Sequence, residues 1–431
     1  MVAFPFNEDL LQFIWEAQLF DHRALTTTEG APLDVIKAGR LHGDSGPDLL
    51  DARVRINDQL WAGNIEVHIK SSEWYAHGHE TDAAYDNVVL HVVYEHDMEV
   101  RTAGGSRVTT VELKSRIKPE SIEAYQRLMH AKAWVPCASQ FDHVDKDRAK
   151  LWLERVMIER LERKSVEVTE LFKRLNNDPA ETFYHMLLRG FGFKVNAEPF
   201  AVLANVMPLK TLLKYRDDPF RTEALLFGQA GFLQVDFIDA YPRDLQREYE
   251  VLAHMHTLKP APVTAWKFGR LRPPNFPTIR LAQLAQLIAK SDGSFSALLE
   301  HDDVASIHKQ LDVEVVGYWL DHYRFDHFST PSPKRLGRTA ADLLIINTIV
   351  PYLFAMGRAR GIDTYADRAM GLLEQLPPEK NMITEGWEEL GLKADNAARS
   401  QALIELKNLY CGQRRCLHCV IGADLLKRTL P

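Results

Sequence analysis

Cysteine is scarce in this chain: 431 residues carry four. So few thiols do not make two disulfides in a reducing compartment, and the expected location is the cytoplasm. Long apolar runs are missing as well. No stretch of about 18 uncharged apolar residues occurs, so no membrane span is expected. The opening MVAFPFNEDLLQFIWEAQLF has no basic n-region and sets acids among its apolar residues. It reads as an amphipathic helix over roughly 8–20, not as a signal peptide. A dinucleotide-binding Gly-x-Gly-x-x-Gly and a Gly-x-Ser-x-Gly elbow are both absent, so oxidoreductase and serine-hydrolase readings have no support. The glycine pair in Phe227-Gly228-Gln229-Ala230-Gly231-Phe232 lacks a following Gly-Lys-Ser/Thr, which excludes a Walker loop and leaves a helix end. Positive charge is not in excess. The formal net charge of -7 argues against a general nucleic-acid footprint but is compatible with a local basic groove.

What is present is ordinary globular composition, 46% hydrophobic and 26% charged, enough for two or three domains. Residues 1–120 read as mixed α/β. A strand near 48–56 turns at Asn57-Asp58 and returns over 60–70. Val88 to Tyr94 is a nearly unbroken apolar, β-branched run, the mark of a strand buried on both faces. Gly104-Gly105 joins 98–102 and 107–114 as a hairpin. Residues 121–431 read as a larger, mainly helical domain. Leu151, Leu153, Val156, Met157, Ile158, Leu161 and Val166 recur at helical spacing, and similar segments follow near 180–190, 197–214, 221–231, 278–290, 340–357 and 397–410. The proline-rich stretch Pro260 to Pro277 punctuates this half. No repeat period and no low-complexity tract is visible.

One strand concentrates the chemistry. In Gly63-Asn64-Ile65-Glu66-Val67-His68-Ile69-Lys70, Glu66, His68 and Lys70 share one face while Ile65, Val67 and Ile69 share the other. Asp48, at the start of the preceding strand, supplies a second carboxylate. Oxygen ligands for a hard divalent cation beside a cationic group are what metal-assisted phosphodiester hydrolysis needs. Downstream come His77-Gly78-His79, Tyr85 and His91, so four histidines fall within 24 residues. Imidazole suits zinc, which keeps a zinc-dependent hydrolase built on the histidines as an alternative.

Pro47-Asp48 followed by Glu66-x-His68-x-Lys70 resembles the PD-(D/E)XK nuclease superfamily, in which a strand Asp precedes a strand carrying Glu-x-Lys. The likeness covers roughly residues 1–115. Histidine stands here at the lysine's place, and Lys70 sits one same-face step further on. A second Glu-x-Lys, Glu112-Leu113-Lys114, has no matching Pro-Asp. The resemblance implies a restriction-endonuclease-like mixed sheet flanked by helices. It implies Mg²⁺ or Mn²⁺ on Asp48 and Glu66, with Lys70 or His68 positioning the attacking water. His79 and Tyr85 would hold the phosphate or leaving group. The longer strings GDSGPDLLDA and NIEVHIKSSEWYAHGHETDAAYDNVVLHVVY, with WVPCASQ, EALLFGQAGFL, RLRPPNFPTIR, INTIVPYLFA and LYCGQRRCLHCVIG, also resemble a bacterial family known only as a domain of unknown function. That likeness spans nearly the whole chain.

Cys411, Cys416 and Cys419 form C-x₄-C-x₂-C, and Cys137 stands alone far upstream. Three close thiolates and one distant partner make a four-ligand soft site, suited to zinc or a [4Fe–4S] cluster. The arrangement is similar to the iron–sulfur staple of some PD-(D/E)XK nucleases, with different spacing or order of the lone cysteine. A last candidate is the loop Trp266 to Arg280, with Lys267, Arg270, Arg272 and Arg280, three aromatics and no acid. It reads either as a loop pinned by arginine–carboxylate pairs or as a phosphate contact with stacking by Trp266 or Phe276. The expectation is therefore a metal-dependent nuclease acting on DNA or RNA. The alternative is a non-catalytic module binding nucleic acid or protein through a degraded site.

Overall fold

A computed structural model describes residues 6–43, 45–261, 266–291 and 295–428. The chain forms two compact units. The first comprises Met1–Trp152, Glu389–Leu392 and Glu405–Pro431, and the second Leu153–Glu388 and Lys393–Ile404. The first therefore extends past the boundary expected at 120 and takes in the cysteine-bearing C-terminal segment.

The first unit is built on a mixed sheet. Helix α1 (Glu8–Glu16) buries Leu10, Leu11, Ile14 and Trp15 along one face and carries Glu8 and Asp9 in its first turn, where the helix dipole favours anions. It stops short of residue 20 because the chain turns through Gln18 at φ 55°. Strands β1 (Leu33–Lys37), β2 (Arg40–Leu41), β3 (Leu49–Ile56) and β4 (Gln59–Lys70) follow, then the short helix α2 (Glu73–Ala76), β5 (Val88–Glu95) and β6 (Thr110–Glu112). The order is β1-β3-β4-β5-β6, with β2 beside β3. Antiparallel pairing joins β1 to β3 and β3 to β4; parallel pairing joins β4 to β5 and β5 to β6. The Asn57-Asp58 turn lies where the sequence put it, with Asn57 at φ 51°. The hairpin expected around Gly104-Gly105 is present as a short ladder: Arg101 bridges Arg107, the Val108 N–H donates to the Val100 carbonyl at 3.0 Å and the Thr102 N–H to the Ser106 carbonyl at 2.9 Å. Past it, Thr110–Glu112 joins the sheet beside β5 and buries Val111.

Helix α3 (Pro119–His130) flanks the sheet region in the chain, and α4 (Lys146–Arg174) follows it. In α4, Val156, Met157 and Leu161 are buried, whereas Leu151 and Val166 face outward. The second unit is mainly helical, with helices at Pro179–Phe191, Phe193–Val206, Pro219–Gln229, Ala240–His256 and Pro277–Lys290 among others. Pro219–Gln229 ends just before Gly231 at φ 80°, which is the helix end read from the glycine pair. Arg338–Arg360 is long and apolar enough by composition to cross a membrane, but 78% of its apolar window is buried inside the protein. It is interrupted by a π turn, Ile345–Ile349, just before Pro351, whose missing N–H cannot continue an α ladder.

Candidate active site

A hairpin with a bulge positions the two acids. Leu49 pairs with Ile65 and Ala52 with Gly63, so β3 carries an extra residue, and Asp51 takes φ 57° to absorb it. The bulge lies beside Glu66 and brings the residue ahead of β3 against β4. The Asp48 N–H donates to Glu66 Oε2 at 3.1 Å, and the Val67 N–H donates to Asp48 Oδ2 at 2.9 Å. The two acids are thus locked to each other's strands. Burial pushes the Asp48 carboxyl up to about 7, and the neighbouring Glu66 carboxylate adds to the rise. Sequence reading missed two contributors from α1. Gln12 lies close enough to the Asp48 carboxylate to offset part of its rise. Glu8 is also held up at about 7, first by burial and then by Glu73, Asp48, Glu66 and Asp9. On an amphipathic helix a first-turn glutamate looks like a dipole partner; nothing local shows that its helix crosses β4.

The other oxygen of Glu66 meets imidazoles. Oε1 lies 3.1 Å from His79 Nε2 and 3.6 Å from His68 Nε2. His68 Nε2 is 3.0 Å from His77 Nδ1, and its Nδ1 is 2.8 Å from His91 Nε2. His91 stands beside Glu66 in the parallel register, which is why it reaches this face. Burial drives His68 down to about 2 and His91 to about 3, with neighbouring imidazoles contributing, so both rings are neutral. Gly78, at φ 76°, supplies the left-handed turn that lets His77 and His79 converge; a side chain there would cost about 1 kcal/mol. His79 stacks on Tyr85 at 3.8 Å between ring centroids and meets Trp74 edge-on at 5.3 Å. Burial raises the Tyr85 phenol to about 12, with Glu66, Asp48 and Asp82 adding to it.

Asp48, Glu66, His68, His79 and Tyr85 therefore come together. Lys70 does not join them: its ammonium pairs with Glu95 at 3.6 Å, and Glu95 also holds Lys114 at 2.7 Å. Parallel pairing sets Lys70 directly beside Glu95, and a local attractive partner wins over a more distant one. The lysine of the second Glu-x-Lys thus serves the same acid.

The four cysteines lie in the first unit and are all free thiols, three of them buried. Burial raises Cys137 to about 12 and Cys416 to about 11, and raises Cys411 and Cys419 too; neighbouring cysteines add to the rise at Cys137, Cys411 and Cys416, and Asp424 to that at Cys419. Cys137 is affected by Cys419 and Cys416, and Cys411 by all three others, so the four thiols share one neighbourhood. The nearby Trp152 indole and Gly422 and Ile421 amides favour the Cys419 thiolate and offset part of its rise. Arg414 ties the loop to α3 through the Leu128 carbonyl at 3.2 Å and to the Ala131 carbonyl just beyond it at 2.8 Å.

The basic loop belongs to the second unit. Residues 262–265, within the proline-rich stretch, lie outside the described residues. Lys267, Arg270 and Arg272 are exposed. Arg280 is not a surface cation: it is 6% exposed, donates to Gln283 Oε1 at 2.8 Å and Asn275 Oδ1 at 2.6 Å, and lies over Phe193. Trp266 is buried as well, its indole donating to the Ala230 carbonyl at 2.8 Å. An arginine on the inward face of a helix and one on a loop look alike in sequence. The second unit also has a cleft of about 900 Å³ between Lys164, Arg174, His185, Arg189 and Asn347, which contains none of the residues singled out by sequence.

A helix-flanked mixed sheet carrying buried carboxylates and imidazoles, followed by a larger helical region, defines a two-unit α/β-plus-helical protein. The chain belongs to the family described as protein of unknown function (DUF2851), whose model matches residues 8–382. The match takes in the acids, the histidines and Cys137 but stops before the cysteine trio. No curated protein and no solved structure matches the chain.

Proposed function

We propose that this protein is a metal-dependent hydrolase of nucleic-acid phosphodiester bonds, with a PD-(D/E)XK-like site in its first unit. The observation that carries the reading is the reciprocal locking of Asp48 and Glu66 across β3 and β4, with Gln12 and Glu8 brought in from α1. Several carboxyl groups gathered at one buried point repel one another unless a cation sits among them. Asp48 and Glu66 would hold Mg²⁺ or Mn²⁺, and that ion would supply charge stabilisation at the attacked phosphate. Gln12, beside the Asp48 carboxylate, would help to keep it ionised for the metal. The neutral His68 ring is a proton acceptor within reach of Glu66, His79 lies against the same carboxylate, and the un-ionised Tyr85 phenol is a donor beside them. The exposed Lys267, Arg270 and Arg272 would contact phosphates, and the four cysteines would hold zinc or a [4Fe–4S] cluster as a structural centre.

The test is cleavage of single- and double-stranded DNA and RNA with Mn²⁺ or Mg²⁺, comparing the unmodified chain with Asp48→Ala and Glu66→Ala. Mn²⁺-stimulated cleavage that both substitutions abolish, in folded protein, supports the proposal. Cleavage indifferent to both refutes it. Salt-dependent binding that survives Asp48→Ala, with no cleavage under any metal, points instead to the non-catalytic binding module.

A further inference from the structure

We infer that His68, His77 and His79, with Glu66 Oε1, form a second cation site of zinc type beside the carboxylate pair. The inference rests on the imidazoles and not on phosphodiester cleavage.

The spacing fits a single tetrahedral ion. Among the described residues these three histidines offer ligand nitrogens that all lie within 4.8 Å of one another. The contacts His68–His77 at 3.0 Å, His79–Glu66 at 3.1 Å and His68–Glu66 at 3.6 Å bracket the edge of a tetrahedron with bonds of about 2.1 Å, which is about 3.4 Å. The donor set is borderline-soft nitrogen plus one carboxylate oxygen, a set suited to zinc and not to magnesium.

The surroundings hold these ligands as a metal site requires. A ligating imidazole is normally fixed by a hydrogen bond from its other nitrogen. His68 turns Nδ1 to His91 Nε2 at 2.8 Å, which leaves Nε2 for the ion. His79 is clamped between Tyr85 and Trp74, and its buried Nε2 has no hydrogen-bond partner although Glu66 Oε1 is 3.1 Å away. An unpartnered buried ring nitrogen is costly; an ion between it and Glu66 would remove that cost. His77 is exposed and is the ligand on the solvent side, so an incoming molecule would approach past it. Glu66 would then serve both sites, one through each carboxylate oxygen.

The test uses Co²⁺ as a spectroscopic probe of the full chain after chelator treatment. The expected result is one histidine-dependent tetrahedral Co²⁺ per chain, with visible d–d bands, in addition to any cobalt held by the cysteines. His77→Ala, a change at an exposed position, and His79→Ala should abolish those bands. Asp48→Ala should leave them in place even though cleavage is lost, so the failure of one reading does not look like the failure of the other. His91→Gln should weaken Co²⁺ binding about 10–100-fold by removing the orienting partner. Cobalt held by the cysteines carries sulfur charge-transfer absorption and would persist in every histidine variant. Absence of bands beyond that absorption, or bands unchanged in both His77→Ala and His79→Ala, would overturn the inference.

Discussion

Replacing Asp48 by Asn should stabilise the metal-free protein while destroying the site. The Asp48 carboxyl titrates at 3.8 in the unfolded chain and at about 7 in the folded one. Below pH 3.8 both states hold the proton and the group costs nothing. Between 3.8 and 7 only the native state retains it, so stability falls by about 1.4 kcal/mol per pH unit as pH rises. Above 7 both states are ionised, and the whole penalty, about 4 kcal/mol, is present. Asparagine is neutral throughout and keeps an oxygen to accept the Val67 N–H. In chelator, the gain of Asp48→Asn over the unmodified chain should therefore grow from about 1.5 kcal/mol at pH 5 to about 4 kcal/mol at pH 8. Mn²⁺ should reverse the order, since only the unmodified chain gains binding energy from it. Calorimetric unfolding at pH 5, 6.5 and 8, with hydrogen exchange of the β4 amides to localise the effect, measures this. A variant equally or less stable at pH 8, or a gap that does not change with pH, would refute the electrostatic account.

Other outcomes follow from the same structure. His68 and His91 stay neutral in the fold while the unfolded chain protonates near 6.5, so each should cost stability as pH falls, about 2 kcal/mol apiece at pH 5. An acid transition of the first unit that begins only below pH 4 would count against this. Arg280→Ala should destabilise the second unit by about 2–4 kcal/mol, because it leaves Gln283 and Asn275 without their donor. Arg270→Ala should leave stability within about 0.5 kcal/mol and lower only salt-dependent nucleic-acid binding. Thermal unfolding and filter binding separate the two. Protein purified anaerobically should carry either stoichiometric zinc or iron with acid-labile sulfide, and Cys137→Ser should release it; metal content that does not change in that variant would remove Cys137 from the site.

The strand alternation at Glu66, His68 and Lys70 was legible because period two is a property of the backbone, and the Asn57-Asp58 turn because asparagine tolerates the left-handed region. Pairing was not legible. Parallel neighbours are chosen by the whole sheet, so neither the place of His91 beside Glu66 nor the capture of Lys70 by Glu95 is written locally. The same holds for Glu8 and Gln12, whose helix looks amphipathic whatever it packs on. Cys137 was matched to the trio from thiol chemistry alone, but the return of residues 405–428 to the first unit depends on packing and on links such as Arg148 to Asp424 at 2.8 Å. Arg280 was misplaced for the opposite reason: charge suggests surface, and only neighbours able to accept its hydrogen bonds make an interior arginine tolerable.

That return has a consequence for biosynthesis. A ribosome delivers residues 1–152 long before it delivers 405–428, and everything between them belongs mostly to the other unit. The sheet can assemble early, but its thiol-bearing closing segment emerges only after the helical body has been made. Final consolidation of the sheet-bearing unit, and loading of any metal that Cys137 shares, would therefore be late events. Release stalled just upstream of Cys411 would leave the acids and histidines in place on a body without its last clasp.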